Sequence, residues 1–362
     1  MLRKSLYVRS IMCGVVLSVL LGGCGGLGVR IEQDSQAPAQ ATPTAPPPAI
    51  SPTQEPTVVA EPPPTEAPAV TAKATVEPTE AVAATIQPTE VSPAAASAPA
   101  CSEAQDRQVV EEILKMLGQP NLVVDKVAKF GGVGTGELCI VELNLGFQEL
   151  SGPIPPQIAK LAGLRKLSFI QNELVGPIPA ELGQLSSLEF LDLTSNQLSG
   201  AIPPELGALS NLRELRLGSN QLTGPIPPEL GKLSRLSLLS LELNGLTGTI
   251  PPELGNLTNL TVLKLYDNEI SGSIPPELGK LTALRQLWLF DNQLSGEVPA
   301  ELGNLGRLAE LALHGNQLSG ALPDSFANLT NLVGLSLDGN KGLCAPPSLK
   351  EARWFKPAMA CP

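Results

Sequence analysis

Aliphatic residues recur with a fixed period from Ile140 onward. Each unit is 24 residues long and begins with an aliphatic residue, at Ile140, Leu164, Leu188, Leu212, Leu236, Leu260, Leu284, Leu308 and Leu332. Within a unit the pattern Leu-x-x-Leu-x-Leu alternates with a period of two, which predicts a short strand with one buried face. Self-similarity at this period predicts a solenoid of nine stacked coils over residues 140–343, with the strands paired in a parallel sheet.

The remaining positions of a unit predict how each coil turns. In the unit that starts at Leu212, Asn220 follows the strand, Gly224 comes next, and Pro227 precedes Pro-Glu. The amide of Asn220 can satisfy backbone groups that a turning chain leaves unpaired. Gly224 permits a tight turn. Two prolines followed by Glu229 favour the first turn of a short helix, where a missing N–H is tolerated and an acidic side chain complements the dipole.

The full pattern, Leu-x-x-Leu-x-Leu-x-x-Asn-x-Leu-x-Gly-x-Ile-Pro, resembles the plant-type subclass of leucine-rich-repeat proteins. That subclass includes the ectodomains of plant receptor kinases and the polygalacturonase-inhibiting proteins. The resemblance implies an α/β solenoid, a right-handed superhelix with a concave parallel β-sheet and short 3-10 or α turns on the convex side. It also implies ligands that are peptides, proteins or wall polysaccharides. The sequence departs from a receptor kinase in having no kinase domain and no C-terminal membrane span.

Four cysteines flank the repeats in two pairs, one pair at each end. A solenoid must cap its terminal cores, and export makes disulfides plausible. We therefore predict the disulfides Cys101–Cys139 and Cys344–Cys361, within an N-terminal cap at 101–139 and a C-terminal cap at 344–362. The run from Asn340 to Cys344 resembles the opening of plant C-terminal caps.

The caps carry further local signals. Ser102 with Gln105 predicts a capped helix start, and a helical apolar stripe follows and ends at Gly118. The glycine-rich run 131–136 is interpreted as a loop of the cap, because no Gly-Lys-Ser/Thr follows it as in a phosphate-binding loop. Trp354 and Phe355 are expected to cover the last coil.

The N-terminus carries a targeting signal. Basic residues precede an apolar stretch from Ile11 to Leu21, which is too short for a membrane span and suits a signal peptide over residues 1–23. The sequence Leu21-Gly-Gly-Cys24 resembles the lipobox of bacterial lipoproteins, which implies lipidation of Cys24 and an exported, outward-facing protein on a bacterial membrane. The alternative is a secretory signal with an incidental cysteine.

Residues 24–100 are predicted to form a disordered tether behind the lipid. Residues 31–100 contain no glycine, leucine or aromatic residue and are rich in Pro, Thr and Ala. Such a segment cannot bury enough apolar surface to offset its ordering entropy, and its prolines favour extended polyproline II.

Charge and composition exclude several functions. The chain has 24 Lys+Arg against 35 Asp+Glu and a formal net charge of -11, which argues against nucleic-acid binding. A single histidine argues against histidine-based triads and metal sites. We expect no catalytic residue, no metal and no cofactor.

The candidate binding residues come from the variable positions of the strands, two, four, six and seven residues after the first aliphatic residue. In a sequence with 3% aromatic residues, these positions cluster several rings and charges on neighbouring coils. The predicted ligand-binding residues are Lys264, Tyr266, Asp267, Trp288, Phe290, Asp291 and His314. Phe147 and Phe190 also point to this face, but they are isolated and are interpreted as packing residues.

Two readings of this cluster remain open. Contiguous exposed aromatic residues mark interaction sites, whereas rings can also simply stack across neighbouring strands. Asp267 and Asp291 are not interpreted as a glycosidase pair, because an open sheet offers no pocket to raise the pKa of one carboxyl. The sequence predicts a non-catalytic cell-surface binding protein for a protein, peptide or polysaccharide. The alternative is a structural or adhesive element without a discrete site.

Overall fold

The computed structural model describes residues 101–132 and 138–361. The predicted signal peptide, Cys24 and the tether at 24–100 lie outside the described residues.

One large sheet of ten strands runs along the repeats. In their order across the sheet, the strands are β1 (Ala128–Gly132), β2 (Leu138–Asn144), β4 (Lys166–Ser168), β6 (Phe190–Asp192), β8 (Glu214–Arg216), β10 (Leu238–Ser240), β12 (Val262–Lys264), β14 (Gln286–Trp288), β16 (Glu310–Ala312) and β19 (Gly334–Ser336). Strand β1 pairs antiparallel with β2, and all later neighbours are parallel. After β1, the other nine strands of this sheet supply one strand for each predicted coil. They pair in register at the 24-residue period. The predicted leucine-rich-repeat solenoid is confirmed.

A second set of short parallel strands follows the first around the coil, and the sequence analysis did not foresee it. These strands form sheets of five, three and two members. They are β3 (Ser151–Gly152), β5 (Glu173–Gly176), β7 (Gln197–Gly200), β9 (Gln221–Pro225), β11 (Gly245–Thr247), β13 (Ser271–Gly272), β15 (Gln293–Gly296), β17 (Gln317–Leu318), β18 (Gly320–Ala321) and β20 (Leu343–Cys344). Each coil of the repeat therefore pairs with its neighbours along two sides.

Short 3-10 helices close the coils on the side away from the large sheet, as the Pro-Pro-Glu segments predict. Pro227, in extended conformation, precedes the 3-10 helix Pro228–Lys232. The others in the repeats are Pro156–Lys160, Ala180–Gln184, Pro204–Ala208, Pro252–Asn256, Pro276–Lys280, Ala300–Asn304 and Asp324–Asn328. Two more, Pro347–Leu349 and Pro357–Met359, lie in the C-terminal cap.

Glycine is required where these 3-10 helices approach one another. A Cβ on Gly231 would overlap the carbonyl oxygen of Glu253 on the next coil and lie 2.7 Å from its carbonyl carbon. Equivalent glycines in neighbouring coils meet the same obstruction. The glycine of Pro-Glu-Leu-Gly thus sets the spacing of the coils on this side.

The recurring asparagine binds backbone groups of two coils at once. Asn268 Nδ2 donates to the carbonyl oxygens of Leu265 (3.0 Å) and of Leu241 on the preceding coil (3.1 Å). Its Oδ1 accepts from the N–H of Leu246, 3.0 Å away in β11. The same contacts recur along the stack, which confirms the predicted role of this residue and adds that it joins consecutive coils.

The core consists of the aliphatic positions of every coil, stacked in columns. In the fourth coil the buried positions are Leu212, Leu215, Leu217, Leu222, Ile226, Leu230 and Leu233, each at most 1% exposed. Leucine fills most of the interior, and Phe169 and Phe326 are the fully buried aromatic residues among those described.

The N-terminal cap is a helix and a hairpin. Helix α1 (Glu103–Met116) begins at Ser102, whose side chain accepts from the N–H of Gln105, and it buries the predicted apolar stripe. A short helix α2 (Val124–Val127) leads into β1. Gly131 and Gly132 belong to β1 and pair with Cys139 and Leu138, so for these two glycines the loop prediction is wrong. They extend the large sheet because their backbone groups complete the hairpin with β2.

A buried carboxylate ties α1 to the first repeat. Asp106 is 1% exposed, and its Oδ2 accepts from the N–H of Ile140 at 2.7 Å. Burial raises the pKa of Asp106, and the hydrogen bond from Ile140 acts in the opposite direction.

Both predicted disulfides are present at the ends of the stack. Cys101 bonds to Cys139 with Cα atoms 5.7 Å apart, and Cys344 bonds to Cys361 with Cα atoms 4.8 Å apart. Trp354 is 4% exposed and Phe355 packs partly buried against the core, as expected for residues that cover the last coil.

Candidate functional site

The side of the large sheet that faces away from the core presents the variable positions to solvent. We call this surface, formed by residues two, four, six and seven after the first aliphatic residue of each coil, the open face. On β14, for example, Leu287 is buried while Gln286 and Trp288 on either side of it are partly exposed. The predicted binding residues therefore share one surface, over the sixth to eighth coils.

Three rings form a continuous stack across this face. Tyr266 and Phe290 lie with ring centroids 4.3 Å apart at 9°, and Phe290 and His314 with centroids 4.4 Å apart at 11°. We call Tyr266, Phe290 and His314 the aromatic row. Because residues one coil apart stack face to face, each ring stands upright on the sheet and turns its edge to solvent. The other side of His314 is held by Ser336, whose hydroxyl lies 3.0 Å from Nδ1.

Trp288 lies beside the aromatic row and is held on two sides. Its ring centroid is 6.0 Å from that of Tyr266, with the planes tilted by 57°. The ammonium of Lys264 sits over the indole, 4.6 Å from the centroid, in cation–π geometry. The indole N–H donates to Glu310 Oε2 at 3.1 Å, and Gln286 Nε2 donates to the same oxygen at 3.2 Å. Trp288 is thus fixed in place before any ligand arrives.

A nearly buried carboxylate stands at one end of the aromatic row. Glu242 is 9% exposed and accepts from the Ser240 hydroxyl at 2.6 Å. Its carboxylate leans over Gly218, where a Cβ would lie only 2.8 Å from it. Burial, and then the charges of Glu242 and Asp267, raise the pKa of Tyr266 to about 12. The tyrosine hydroxyl is therefore a neutral donor at any physiological pH.

The two predicted aspartates have a structural reason to be aspartate. Asp267 and Asp291 have φ values of 56° and 52°, in the left-handed region, where Asp and Asn are tolerated better than most residues. The same position is left-handed in all nine coils: Phe147, Gln171, Ser195, Ser219, Leu243, Asp267, Asp291, Gly315 and Gly339. The carboxylate of Asp291 lies against Gly315, in the space a Cβ would occupy. Both carboxylates still lie at the exposed margin of the open face.

Several residues of this face were missed or misjudged from the sequence. Glu242 and Glu310 lie at variable positions of this face, but the sequence does not distinguish them, because their contacts depend on residues of neighbouring coils. Phe190, interpreted as isolated, has the guanidinium of Arg216 5.5 Å from its ring centroid. Arg216 in turn pairs with Glu214 at 2.6 Å. Phe147 is 64% exposed and makes no ring contact with another described aromatic residue.

The predicted binding residues are partly or fully exposed and together form an open surface. A cluster with the composition of a metal site, Cys101, Asp106 and Cys139, lies in the N-terminal cap, but both of its cysteines are consumed by the disulfide. Within 101–132 and 138–361 no helix combines the length and the apolar character needed to cross a membrane.

Comparisons with known families identify the repeat. The family model of a leucine-rich repeat region matches residues 139–274, and two shorter leucine-rich-repeat models match residues 258–300 and 307–329. The chain thus contains leucine-rich repeats, as its periodicity and its coils both indicate. No curated protein sequence matches this chain significantly.

Solved structures of plant proteins are similar to this chain. The plant peptide hormone receptor RGFR1 in complex with RGF2 is 35% identical with a TM-score of 0.56, over 57% of this chain and 33% of the receptor chain. The ectodomain of the Arabidopsis thaliana receptor kinase GASSHO1/SCHENGEN3, in complex with CASPARIAN STRIP INTEGRITY FACTOR 2, is 37% identical with a TM-score of 0.55, over 67% of this chain and 33% of that one. This chain thus spans about a third of the length of either receptor structure.

A third similar structure has a different function. A plant ice-binding protein is 26% identical with a TM-score of 0.57, and the match covers 72% of this chain and 96% of that one. Similarity of fold therefore does not by itself identify the ligand of this chain.

Proposed function

We propose that this leucine-rich-repeat chain is an exported, non-catalytic binding protein whose open face takes a protein, peptide or polysaccharide ligand. One observation carries the proposal. The aromatic row and Trp288 are contiguous and partly exposed in a chain whose core is filled by leucine. Aromatic residues that are held rigidly at a surface are the usual anchors of an interface.

Two of the similar structures support a binding role. RGFR1 and GASSHO1/SCHENGEN3 are leucine-rich-repeat receptors that were solved with a ligand, one of them named as a peptide hormone receptor. Since this chain matches a third of either structure, its own ligand has to be argued from its own residues. The disulfides at both ends of the repeats support an oxidising, extracytoplasmic location.

We further propose that a lipid on Cys24 holds the protein on the outer side of a bacterial membrane, with residues 24–100 as an extended tether. The support is the lipobox-like sequence that ends the apolar stretch of residues 11–21. Cys24→Ala should move the protein from the membrane fraction to the soluble fraction. Retention of the variant in membranes after a high-salt wash would contradict the anchor.

The binding role is tested by probing peptide and glycan arrays with the full-length chain and with Trp288→Ala. Trp288 lies on the open face, outside the leucine core. The variant should therefore keep the far-ultraviolet circular dichroism spectrum and the melting temperature of the wild type. Loss of an aromatic anchor should weaken ligand binding by about 2 kcal/mol, which corresponds to a roughly thirtyfold higher dissociation constant. Phe147→Ala is the matched control, since Phe147 is an exposed aromatic residue of the same face, far from the aromatic row along the repeats.

The alternative is a structural or adhesive element that packs against other surface molecules without a discrete site. It predicts that no soluble ligand binds with defined stoichiometry, and that Trp288→Ala and Phe147→Ala have equal and small effects on adhesion. If Trp288→Ala retains every ligand of the wild type, the aromatic residues only pack across the sheet.

A further inference from the structure

The ring orientation and the charge of the open face narrow the ligand beyond the proposed function, on which this inference rests. We infer that the open face of the fifth to ninth coils binds a polypeptide segment that carries arginine or lysine side chains. Three features point to this chemistry: the upright rings, the excess of carboxylates over cations, and a difference in ion pairing between the two halves of the sheet.

Part of the ring surface on which a sugar could pack is already occupied. Polysaccharides pack the C–H face of a sugar ring flat on a free aromatic face. Phe290 is covered on both faces, by Tyr266 and by His314. One face of Trp288 carries the Lys264 ammonium. The row turns its ring edges outward, and the edge is the positive part of the aromatic quadrupole, so it attracts the carbonyl oxygens of a peptide backbone.

The side chains around these ring edges carry an excess of negative charge, which favours a cationic ligand. At the positions that form the open face, the fifth to ninth coils carry the carboxylates Glu242, Asp267, Asp291, Glu310 and Asp338. The only lysine or arginine at these positions is Lys264, and its ammonium lies over the indole of Trp288. Among the described residues, no ion pair involves Glu242, Asp291, Glu310 or Asp338.

The first four coils differ in part. Of their three acidic side chains at these positions, Glu142 pairs with Lys129 of β1 at 2.9 Å and Glu214 pairs with Arg216 at 2.6 Å. The third, Asp192, is buried and accepts from the N–H of Thr194 at 2.9 Å. Ion pairs between neighbouring side chains can therefore form on this sheet, and Glu142 and Glu214 form them. In the half that holds the aromatic residues, Glu242, Asp291, Glu310 and Asp338 form no ion pair with another described residue.

Glu242 and Glu310 are the carboxylates best placed to bind a guanidinium. Glu242 is more than nine-tenths buried at one end of the aromatic row, and the Ser240 hydroxyl holds one of its oxygens. Glu310 is oriented by the Trp288 indole N–H and by Gln286. A charge that is already oriented and partly desolvated loses less on binding than a mobile surface carboxylate, so a cation should gain most from these two.

The test uses an acetylated and amidated peptide of three Gly-Arg units, its citrulline counterpart, and a neutral hexasaccharide of glucose. Citrulline keeps the size and the planar group of arginine and removes its charge. The arginine peptide should bind the full-length protein at least about tenfold more tightly than the citrulline peptide. Its affinity should fall as salt rises from about 50 mM to about 500 mM, because partly exposed charges are screened.

A matched pair of double variants locates the charge. Glu242→Gln with Glu310→Gln should weaken binding of the arginine peptide by about tenfold and leave the salt dependence shallower. Glu205→Gln with Glu253→Gln makes the same change of net charge on the exposed 3-10 helices, and it should leave the affinity unchanged. Circular dichroism confirms that both double variants are folded before binding is compared.

Three outcomes would overturn the inference: equal binding of the arginine and citrulline peptides, no binding of the arginine peptide, or equal losses in the two double variants. A hexasaccharide that binds the wild type and is lost in Trp288→Ala would also overturn it, while the proposed binding function would stand. Should Trp288→Ala leave the binding of every probe intact, the proposed function would fail with it.

Discussion

Replacing Asn268 with alanine should destabilise the solenoid far more than the loss of one amide at a surface. The side chain donates to the carbonyl oxygens of Leu241 and Leu265 and accepts from the N–H of Leu246. The two carbonyls keep a second donor, because Asn244 Nδ2 also binds Leu241 and Asn292 Nδ2 also binds Leu265. The N–H of Leu246 loses the acceptor that the side chain provides.

These contacts set the magnitude. A buried donor left without an acceptor costs about 1–3 kcal/mol, and each lost hydrogen bond whose acceptor keeps a partner contributes at most about 1 kcal/mol more. Asn268→Ala should therefore lower the free energy of unfolding by about 2–4 kcal/mol. Asn268→Asp should be at least as damaging, because it retains the acceptor for Leu246 and points a carboxylate at the two carbonyl oxygens.

Urea denaturation followed by circular dichroism measures the change, with Asn259→Ala as the control. Asn259 is exposed and makes a single hydrogen bond, to the carbonyl oxygen of Ser234 at 2.8 Å. Its loss should cost less than about 1 kcal/mol. The slope of the transition has to be compared as well, since a repeat array can unfold in parts. If Asn268→Ala is no less stable than Asn259→Ala, the asparagines do not hold the coils together as argued.

Three further predictions concern a close contact, a cap and a titration. Gly231→Ala should destabilise by about 1–3 kcal/mol in the same denaturation assay, because its Cβ meets the backbone of the next coil, whereas Gly306→Ala, with nothing within 4 Å, should not. Cys344→Ser opens a disulfide loop with a sequence separation of 17 and should cost about 3 kcal/mol, seen as a lower melting temperature, while exposed Gln221→Ala leaves it nearly unchanged. The raised pKa of Tyr266, about 12, means that stability falls as pH rises from about 10 through about 12; ultraviolet titration should show this late ionisation, and Tyr266→Phe should remove it.

The coil path was predictable because its determinants repeat. One leucine column carries little information, but nine copies at a constant interval leave a single way to stack them. Asn268 and the Pro-Pro-Glu segments were interpreted correctly for the same reason. The second set of strands was missed, because Gln-Leu-Ser-Gly reads as a turn until the neighbouring coil pairs with it. Gly231 was likewise not recognised as a contact point, since the atom that it must avoid belongs to Glu253, on the next coil.

The sequence predicted which residues of the candidate site lie near one another, but not how their side chains are oriented or paired. The 24-residue register is enough to place Tyr266 on one coil and Trp288 and Phe290 on the next. The register does not show whether a ring lies flat on the sheet or stands upright. A flat ring offers its face for a sugar to pack on, whereas an upright ring offers its edge. The charges follow the same rule. The carboxylates can be counted from the sequence, but only the structure shows that Glu142 and Glu214 form ion pairs, whereas Glu242 and Glu310 form none with another described residue. The leucine core requires neither the orientation of these rings nor the pairing of these carboxylates. The side chains of the open face can therefore change while the fold stays the same.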